Sequence, residues 1–243
     1  MYALIAERCA DSREHDDLLG MLLAARDEET GQGMSDRELR DEVLTMLLAG
    51  HETTATSASW ALALLAAHPG VMQRLHREVD SVLHGEPPRA DDLPRLPYAR
   101  AILDETLRLY PSSWVISRQA LLPDQLGPYS IPAGAAVMAS PYANHRLPHL
   151  WTQPNSFLPE RWLDAPKPAL FTYFPFGAGL RMCVGQHLAM LELNLLLIRF
   201  AQRCTLNIDG PLPKPLAGLS IHPNRRLTAQ VGTRCPEAVK AGA

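Results

Sequence analysis

Residues 35–67 constrain the fold more than any other stretch. They open on Ser35-Asp-Arg-Glu38, a capping box in which the Ser and Glu side chains satisfy each other's backbone N–H groups. The pattern then runs on until Pro69. At about 1.5 Å per residue, such a helix is a rod of roughly 50 Å, enough to cross a whole domain. Apolar residues cover most of its faces at 43–49 and again at 60–67, so it reads as a central, buried helix on which the rest packs. Its middle, Ala49-Gly-His-Glu-Thr-Thr54, is poorly chosen for helix stability. Gly costs about 1 kcal/mol against Ala, and an acid beside two hydroxyls needs partners when buried. A tolerated polar kink and a functional segment both account for it.

The flanks are also helical. Residues 2–9 and 14–26 read as helices, the second with Leu18, Leu19, Leu22 and Leu23 on one face. Pro69 opens an amphipathic helix to about Leu83, and Pro97 opens another that Pro111 stops. Of the 21 prolines, 15 fall in residues 86–178, so that region is mainly loops and short strands. Strands are expected at 113–118, 128–131 and 136–140. A helix over 186–203 follows, then small-sheet pieces at 206–208 and 227–231 around a loop at 213–222. The last dozen residues read as a frayed end.

A chain of 243 residues, 47% hydrophobic and 20% charged, is a soluble globular protein of one or two domains. Its net charge of −3 exerts no general pull on nucleic acid. No run of about 18 apolar residues is present, so no membrane span is expected. The N-terminus lacks the basic and apolar segments of a signal peptide. The four cysteines (Cys9, Cys183, Cys204, Cys235) form no Cys-x-x-Cys pair, which points away from zinc or disulfide frameworks and towards a reducing, cytoplasmic setting. The chain opens inside a helical pattern, as a natural domain or a cut chain would.

Cys183 lies in Phe174-Pro-Phe-Gly-Ala-Gly-Leu-Arg-Met-Cys-Val-Gly185, directly ahead of the apolar pattern Leu188, Leu191, Leu195, Ile198. A sulfur just before a helix N-terminus meets the positive end of the dipole, which favours the thiolate. Gly177, Gly179 and Gly185 let a flat group approach the backbone, and a thiolate suits a soft or borderline metal. A lone Cys, taken by itself, is more often a buried structural residue. The spacing Phe176, Gly179, Arg181, Cys183, Gly185 resembles the haem-binding loop of cytochrome P-450 monooxygenases. Three further motifs stand in that family's order. Ala49-Gly-His-Glu-Thr-Thr54 is similar to its oxygen-activating segment, Glu105-Thr-Leu-Arg108 to its Glu-x-x-Arg helix, and Pro159-Glu-Arg-Trp162 to the companion Pro-x-Arg-Phe/Trp motif.

The resemblance implies a mainly α fold with small β-sheets (α+β), the C-terminal haem-binding part of the P-450 fold, with residues 1–243 forming a single partial domain. It implies haem b with Cys183 as axial iron ligand in a loop shaped by Phe176, Gly179 and Gly185. Arg118, His145 and Arg181 would bond haem propionates. Gly50 would open a groove beside the haem, Thr53 would hold oxygen and a water, and Glu52 would connect to a proton supply. Glu105, Arg108 and Arg161 would form a buried structural network, although Glu105 and Arg108 at i and i+3 also suit a surface ion pair. Met46, Ala49, Trp114, Val115 and Leu219 would face the substrate, and their apolar character suggests a lipophilic one.

The implied reaction inserts one oxygen atom from O2 into an organic substrate, the other leaving as water. No flavin or ferredoxin module and no strand-linked Gly-x-Gly-x-x-Gly is present, so a separate electron-transfer partner, ferredoxin or flavodoxin-like, is implied. Arg181, His187, Arg199 and Arg203 would dock it or simply form a solvated face. Family members carry a long N-terminal half ahead of the oxygen-activating helix. The expectation is therefore a truncated monooxygenase that alone turns over poorly. A non-catalytic remnant and a haem-binding module without oxygenase activity are the alternatives.

Overall fold

The computed structural model describes residues 1–11, 13, 15–163, 166, 168–169 and 171–234. Cys235 and most of the expected frayed end lie outside the described residues. Seven helices are described: α1 (Tyr2–Ala10), α2 (Leu18–Ala24), α3 (Asp36–Ala67), α4 (Pro69–Leu83), α5 (Pro97–Leu109), the single turn α6 (Pro141–Asn144) and α7 (Gln186–Arg203). The strands are β1 (Ile116–Gln119), β2 (Asp124–Leu126), β3 (Tyr129–Ile131), β4 (Ala136–Ala139), β5 (Cys204–Ile208), β6 (Pro215–Ala217), β7 (Ile221–Pro223) and β8 (Ala229–Thr233). They form four two-stranded antiparallel sheets, β1–β4, β2–β3, β5–β8 and β6–β7. The mainly helical architecture with small sheets is the expected one. The capping box forms as well: Ser35 N donates to Glu38 Oε2 at 2.8 Å, and Glu38 N donates to Ser35 Oγ at 3.3 Å.

The chain divides into two compact units, residues 1–52 and 53–243, with the boundary inside α3. In the first, Ile5 of α1, Leu19 and Leu22 of α2 and Leu39 of α3 form a small core, with Val43 and Met46 packed against it. Helical spacing places Leu39, Val43 and Met46 on one face. Met46, expected to face the substrate, therefore contributes to this core. Asp17 caps α2 by accepting from Gly20 N at 2.9 Å, and the helix starts at Leu18, later than expected.

The second unit is built round α5. Ten of its residues are buried, including Glu105 and Arg108, and α4, α7 and the end of α3 pack their apolar stripes on it. On α4 the stripe is Met72, Leu75, Val79 and Leu83; on α7 it is Met190, Leu193, Leu197 and Ile198. Glu78 of α4 reaches the N-terminus of α5, where it accepts from Tyr98 N (2.8 Å) and Ala99 N (2.9 Å). Those two N–H groups have no partner within the helix, and an anion there suits the dipole.

Expectation and structure differ over α3. The helix is mostly buried between Thr56 and Ala66, whereas Leu44, Leu47 and Leu48 are 36%, 59% and 71% exposed. Apolar sequence marks a face that suits burial, but only packed chain buries it; α5 is the central helix instead. The expected loop at 213–222 is the β6–β7 hairpin, and β2 pairs with β3 across Gly127 (φ +58°) and Pro128. The positive φ at the first turn position suits glycine.

Candidate functional site

Glu105 and Arg108 lie one turn apart on α5 and are wholly buried. Arg108 Nε and Nη2 donate to Glu105 Oε2 (2.8 Å) and Oε1 (2.9 Å). The rest of the guanidinium donates to the carbonyls of His145 (2.8 Å), Pro154 (2.7 Å) and Ser156 (3.0 Å). Glu105 also accepts from Leu158 N (2.9 Å), Arg161 Nε (3.0 Å) and Trp162 Nε1 (2.9 Å). The surface ion pair that the spacing alone allowed is thereby excluded. A buried pair is tolerable only where further hydrogen bonds satisfy both ions, and here carbonyls and N–H groups from residues 145–162 do so. The same bonds hold that long, proline-rich connection on α5.

His145 is placed differently from the expectation that it meets a propionate. It is fully buried, and its Nε2 accepts from the backbone N–H of Phe174 at 3.0 Å. Tyr173, Phe174 and Trp151 surround the ring at centroid distances of 5.2, 5.3 and 6.2 Å. Burial pushes its pKa down to about 3; a polar contact with the Arg108 backbone opposes this, while the charges of Arg108 and Arg146 add to it. The imidazole is thus neutral when folded but takes up a proton near pH 6.5 when unfolded. The unfolded state binds more protons between those values, so stability is full above pH 6.5 and falls with pH down to about 3. Each unit in that window costs about 1.4 kcal/mol. We expect urea midpoints to fall steadily from pH 6.5 to 5, and a His145→Gln chain to show a flatter profile. Equal slopes would place the acid sensitivity elsewhere.

Phe174 begins the Cys183 loop. Gly177 N donates to Phe174 O (3.0 Å), and Cys183 N donates to Phe176 O (2.9 Å). Gly177 and Gly179 take φ of +75° and +73°, which glycine adopts without strain. A side chain at Gly179 would meet nothing within 4 Å. A short 3-10 turn (Gly179–Arg181) leads to Cys183, and α7 begins after Gly185. Cys183 and Arg181 are exposed, Phe176 is half-buried, and Leu180, Met182 and Val184 are 106%, 55% and 90% exposed. The loop thus combines a thiol at a helix start, an apolar rim and a cation.

The neighbouring segment, where a strand is expected from residue 113 but β1 begins only at Ile116, is fastened on several sides. Ser112 Oγ donates to the carbonyl of Thr53 (2.9 Å), as does Ser57 Oγ (2.9 Å), and the two hydroxyls lie 2.8 Å apart. Ile221 N donates to Ser112 O (3.1 Å). Trp114 Nε1 donates to Gly218 O (2.9 Å), bringing Trp114 beside the loop of exposed Leu219. Ile116 of β1 then reaches the Cys183 loop, its Cδ1 lying 3.7 Å from where a Cβ on Gly177 would stand. Thr53, Trp114, Leu219 and the Cys183 loop are in this way linked within one unit. Val115 is half-buried, and Arg118 is exposed, bonding Ser117 O (2.8 Å). Ala49, Gly50 and Glu52 belong to the other unit and are exposed; a Cβ on Gly50 would meet nothing within 4 Å.

Sequence reasoning missed Ser57, Ser112, Glu78 and the buried placement of His145. Isolated hydroxyls, one surface-like Glu and one His carry no pattern that names their distant partners.

The family model described as Cytochrome P-450 matches residues 3–228. Cyclooctatin synthase of Streptomyces melanosporofaciens is 40% identical over 227 residues, covering 93% of this chain and 48% of that protein. Cyclooctat-9-en-7-ol 5-monooxygenase of the same species is 42% identical over 212 residues, covering 86% and 46%. Pentalenene oxygenase of Streptomyces avermitilis is 35% identical, covering 96% and 52%. Among solved structures, a retinoic acid bound cyanobacterial CYP120A1 superposes with a TM-score of 0.90 at 30% identity, covering 96% of this chain and 54% of that one. The chain spans about half the length of the curated relatives it matches.

Proposed function

The chain belongs to the cytochrome P-450 family, and on that premise we propose that it carries the thiolate and oxygen-handling residues of a haem monooxygenase acting on a lipophilic organic substrate. The observation that carries this is the exposed Cys183 thiol just ahead of α7, in a loop where Gly177 and Gly179 hold positive φ. The residues fit the haem that the family implies. Cys183 would hold the iron through its sulfur. Leu180, Val184 and Phe176 would lie against the macrocycle, and Arg181 and Arg118 would neutralise its carboxylates. When bound, the haem supplies O2 activation for insertion of one oxygen atom into a substrate C–H bond; two external electrons and two protons are consumed and the second oxygen leaves as water.

Thr53 and Glu52 would hold and pass the protons that this chemistry consumes. The Ser57 and Ser112 hydroxyls fix the Thr53 carbonyl, and so fix where its side chain projects from α3. Trp114, Val115 and Leu219 would border the substrate. Relatives named for cyclooctat-9-en-7-ol and pentalenene support a substrate that is mostly hydrocarbon. No described helix is long and apolar enough to cross a membrane. The electrons would come from a separate protein docking near Arg181, His187 and Arg203, all exposed; Arg199 is half-buried and bonds Gln202 Oε1 at 2.9 Å.

The test is residues 1–243 expressed with haem supplied, followed by the ferrous–CO spectrum. Cys183→Ala is expected to abolish the thiolate-type band, while Cys9→Ala and Cys204→Ala keep it. An unchanged spectrum in Cys183→Ala would remove the assignment. A second reading, haem binding with little turnover, is supported by exposed Leu47 and Leu48 on α3. An apolar face of that kind favours association, so the chain is expected to elute larger than a monomer and to couple electrons poorly to product. A monomeric, fully loaded chain with coupled turnover would overturn this second reading.

A further inference from the structure

We propose that His145 is a positioning residue for the Cys183 loop: its neutral ring accepts the Phe174 N–H and thereby ties the loop's first residue to the Glu105–Arg108 network. The proposal rests on the reading of Cys183 as the iron ligand only for its effect on ligation, and on geometry for the anchor itself. The line of bonds is continuous. Glu105 holds Arg108, Arg108 Nη1 donates to the His145 carbonyl (2.8 Å), and the His145 ring accepts from Phe174 N (3.0 Å). Beyond Phe174, the carbonyl of that residue takes Gly177 N at 3.0 Å, and Phe176 O takes Cys183 N at 2.9 Å. Four hydrogen bonds, joined by the backbone from Phe174 to Phe176, thus lead from the Glu105 carboxylate to Cys183 N, and the His145 ring bridges the end of α6 to the loop.

The tautomer follows. A ring whose Nε2 accepts must, when neutral, carry its proton on Nδ1. That atom is buried beside the Arg108 backbone, without a hydrogen bond of good geometry to it. A Leu or Met would fill the same space without a polar ring to satisfy. What the imidazole adds is an acceptor, held rigid by Tyr173, Trp151 and Phe174, at the point where the loop begins. Asn144, the preceding residue, complements it by donating from Nδ2 to the carbonyls of Phe171 (3.2 Å) and Thr172 (3.0 Å). Two adjacent side chains therefore pin both sides of the approach to the loop, one by donating and one by accepting.

The test compares His145→Gln, whose Oε1 can reach the place of Nε2, with His145→Leu, which has no acceptor. Amide hydrogen exchange is read on the whole chain at residues 174–183, with α5 as the internal control. Leu is expected to speed exchange in the loop by about tenfold or more while α5 keeps its protection, and Gln to stay within about threefold of the parent. With haem supplied, Leu should lose most of the thiolate-type ferrous–CO band and Gln should retain it. If Leu does not fold, His145→Asn, polar but with its oxygen at the wrong end, takes its place with the same expectation. Unchanged loop exchange in the acceptor-free variant, or equal loss in Gln and Leu together with α5, would overturn the proposal. A parent chain without the thiolate band would count against the Cys183 reading alone, because the exchange comparison decides the anchor without haem.

Discussion

Replacing Glu105 with Ala is expected to leave little folded chain. The carboxylate accepts five hydrogen bonds, from Arg108 (two), Leu158, Arg161 and Trp162. Its removal strands the Arg108 guanidinium, which has no exposed surface. Breaking one partner of a buried pair costs about 3–5 kcal/mol, against about 5–15 kcal/mol for the whole stability of a domain. The second cost is geometric, since residues 158–162 lose their hold on α5. Glu105→Gln should recover little, because an amide presents N–H groups to a site filled with donors. Arg161→Ala should cost less, since its side chain is 13% exposed and its other bonds go to carbonyls of Thr152 and Gln153. Urea unfolding followed by circular dichroism checks the order. A Glu105→Ala chain with the parental midpoint would show that the network adds nothing to stability.

Trp60→Ala should be comparably damaging. Trp60 is fully buried and stacks on Tyr110 with centroids 3.8 Å apart and planes 2° from parallel. Its Nε1 donates to Ile221 O at 2.8 Å. Truncating a buried aromatic costs about 3–5 kcal/mol, and the orphaned Ile221 carbonyl adds about 1–3 kcal/mol. The damage should spread to the Ser112–Ile221 bond and hence to the segment that carries Trp114 into β1. Trp60→Phe separates the two effects: it keeps a ring against Tyr110 and loses only the N–H, so about 1–3 kcal/mol is expected. If Phe and Ala were equally destabilising, the hydrogen bond, and not the stack, would dominate. If neither shifted the midpoint, α3 would contribute no stability through this contact.

The two substitutions act on different joints. Glu105 fastens the 145–162 connection to α5, whereas Trp60 fastens α3 to β7. Both joints lead towards the Cys183 loop, the first through His145 and the second through Ser112 and Ile116. A loss of thiolate ligation in either variant is therefore to be read beside its stability, and the loop exchange of the His145 variants separates ligation from unfolding.

The sequence by itself determined the main helices and the family. Capping residues, prolines and apolar period are local, so α3, α4, α5 and α7 lie within a residue of where the pattern put them. Cys183 and its glycines were legible because a thiolate loop before a helix requires those residue types at that spacing. The Glu105–Arg108 pair was legible as a pair, but its burial was not. Only the tertiary structure decided that α5, not the first half of α3, is the buried centre, because burial depends on which chain packs against a face. It also decided that Met46 joins a small core of α1 and α2 and that His145 accepts from Phe174 inside the protein. Glu78 capping α5 and Ser112 fixing the Thr53 carbonyl belong to the same class. A hydrogen bond between residues 20 or 59 positions apart leaves no periodic trace in one sequence; it exists only once packing has brought donor and acceptor within 3 Å.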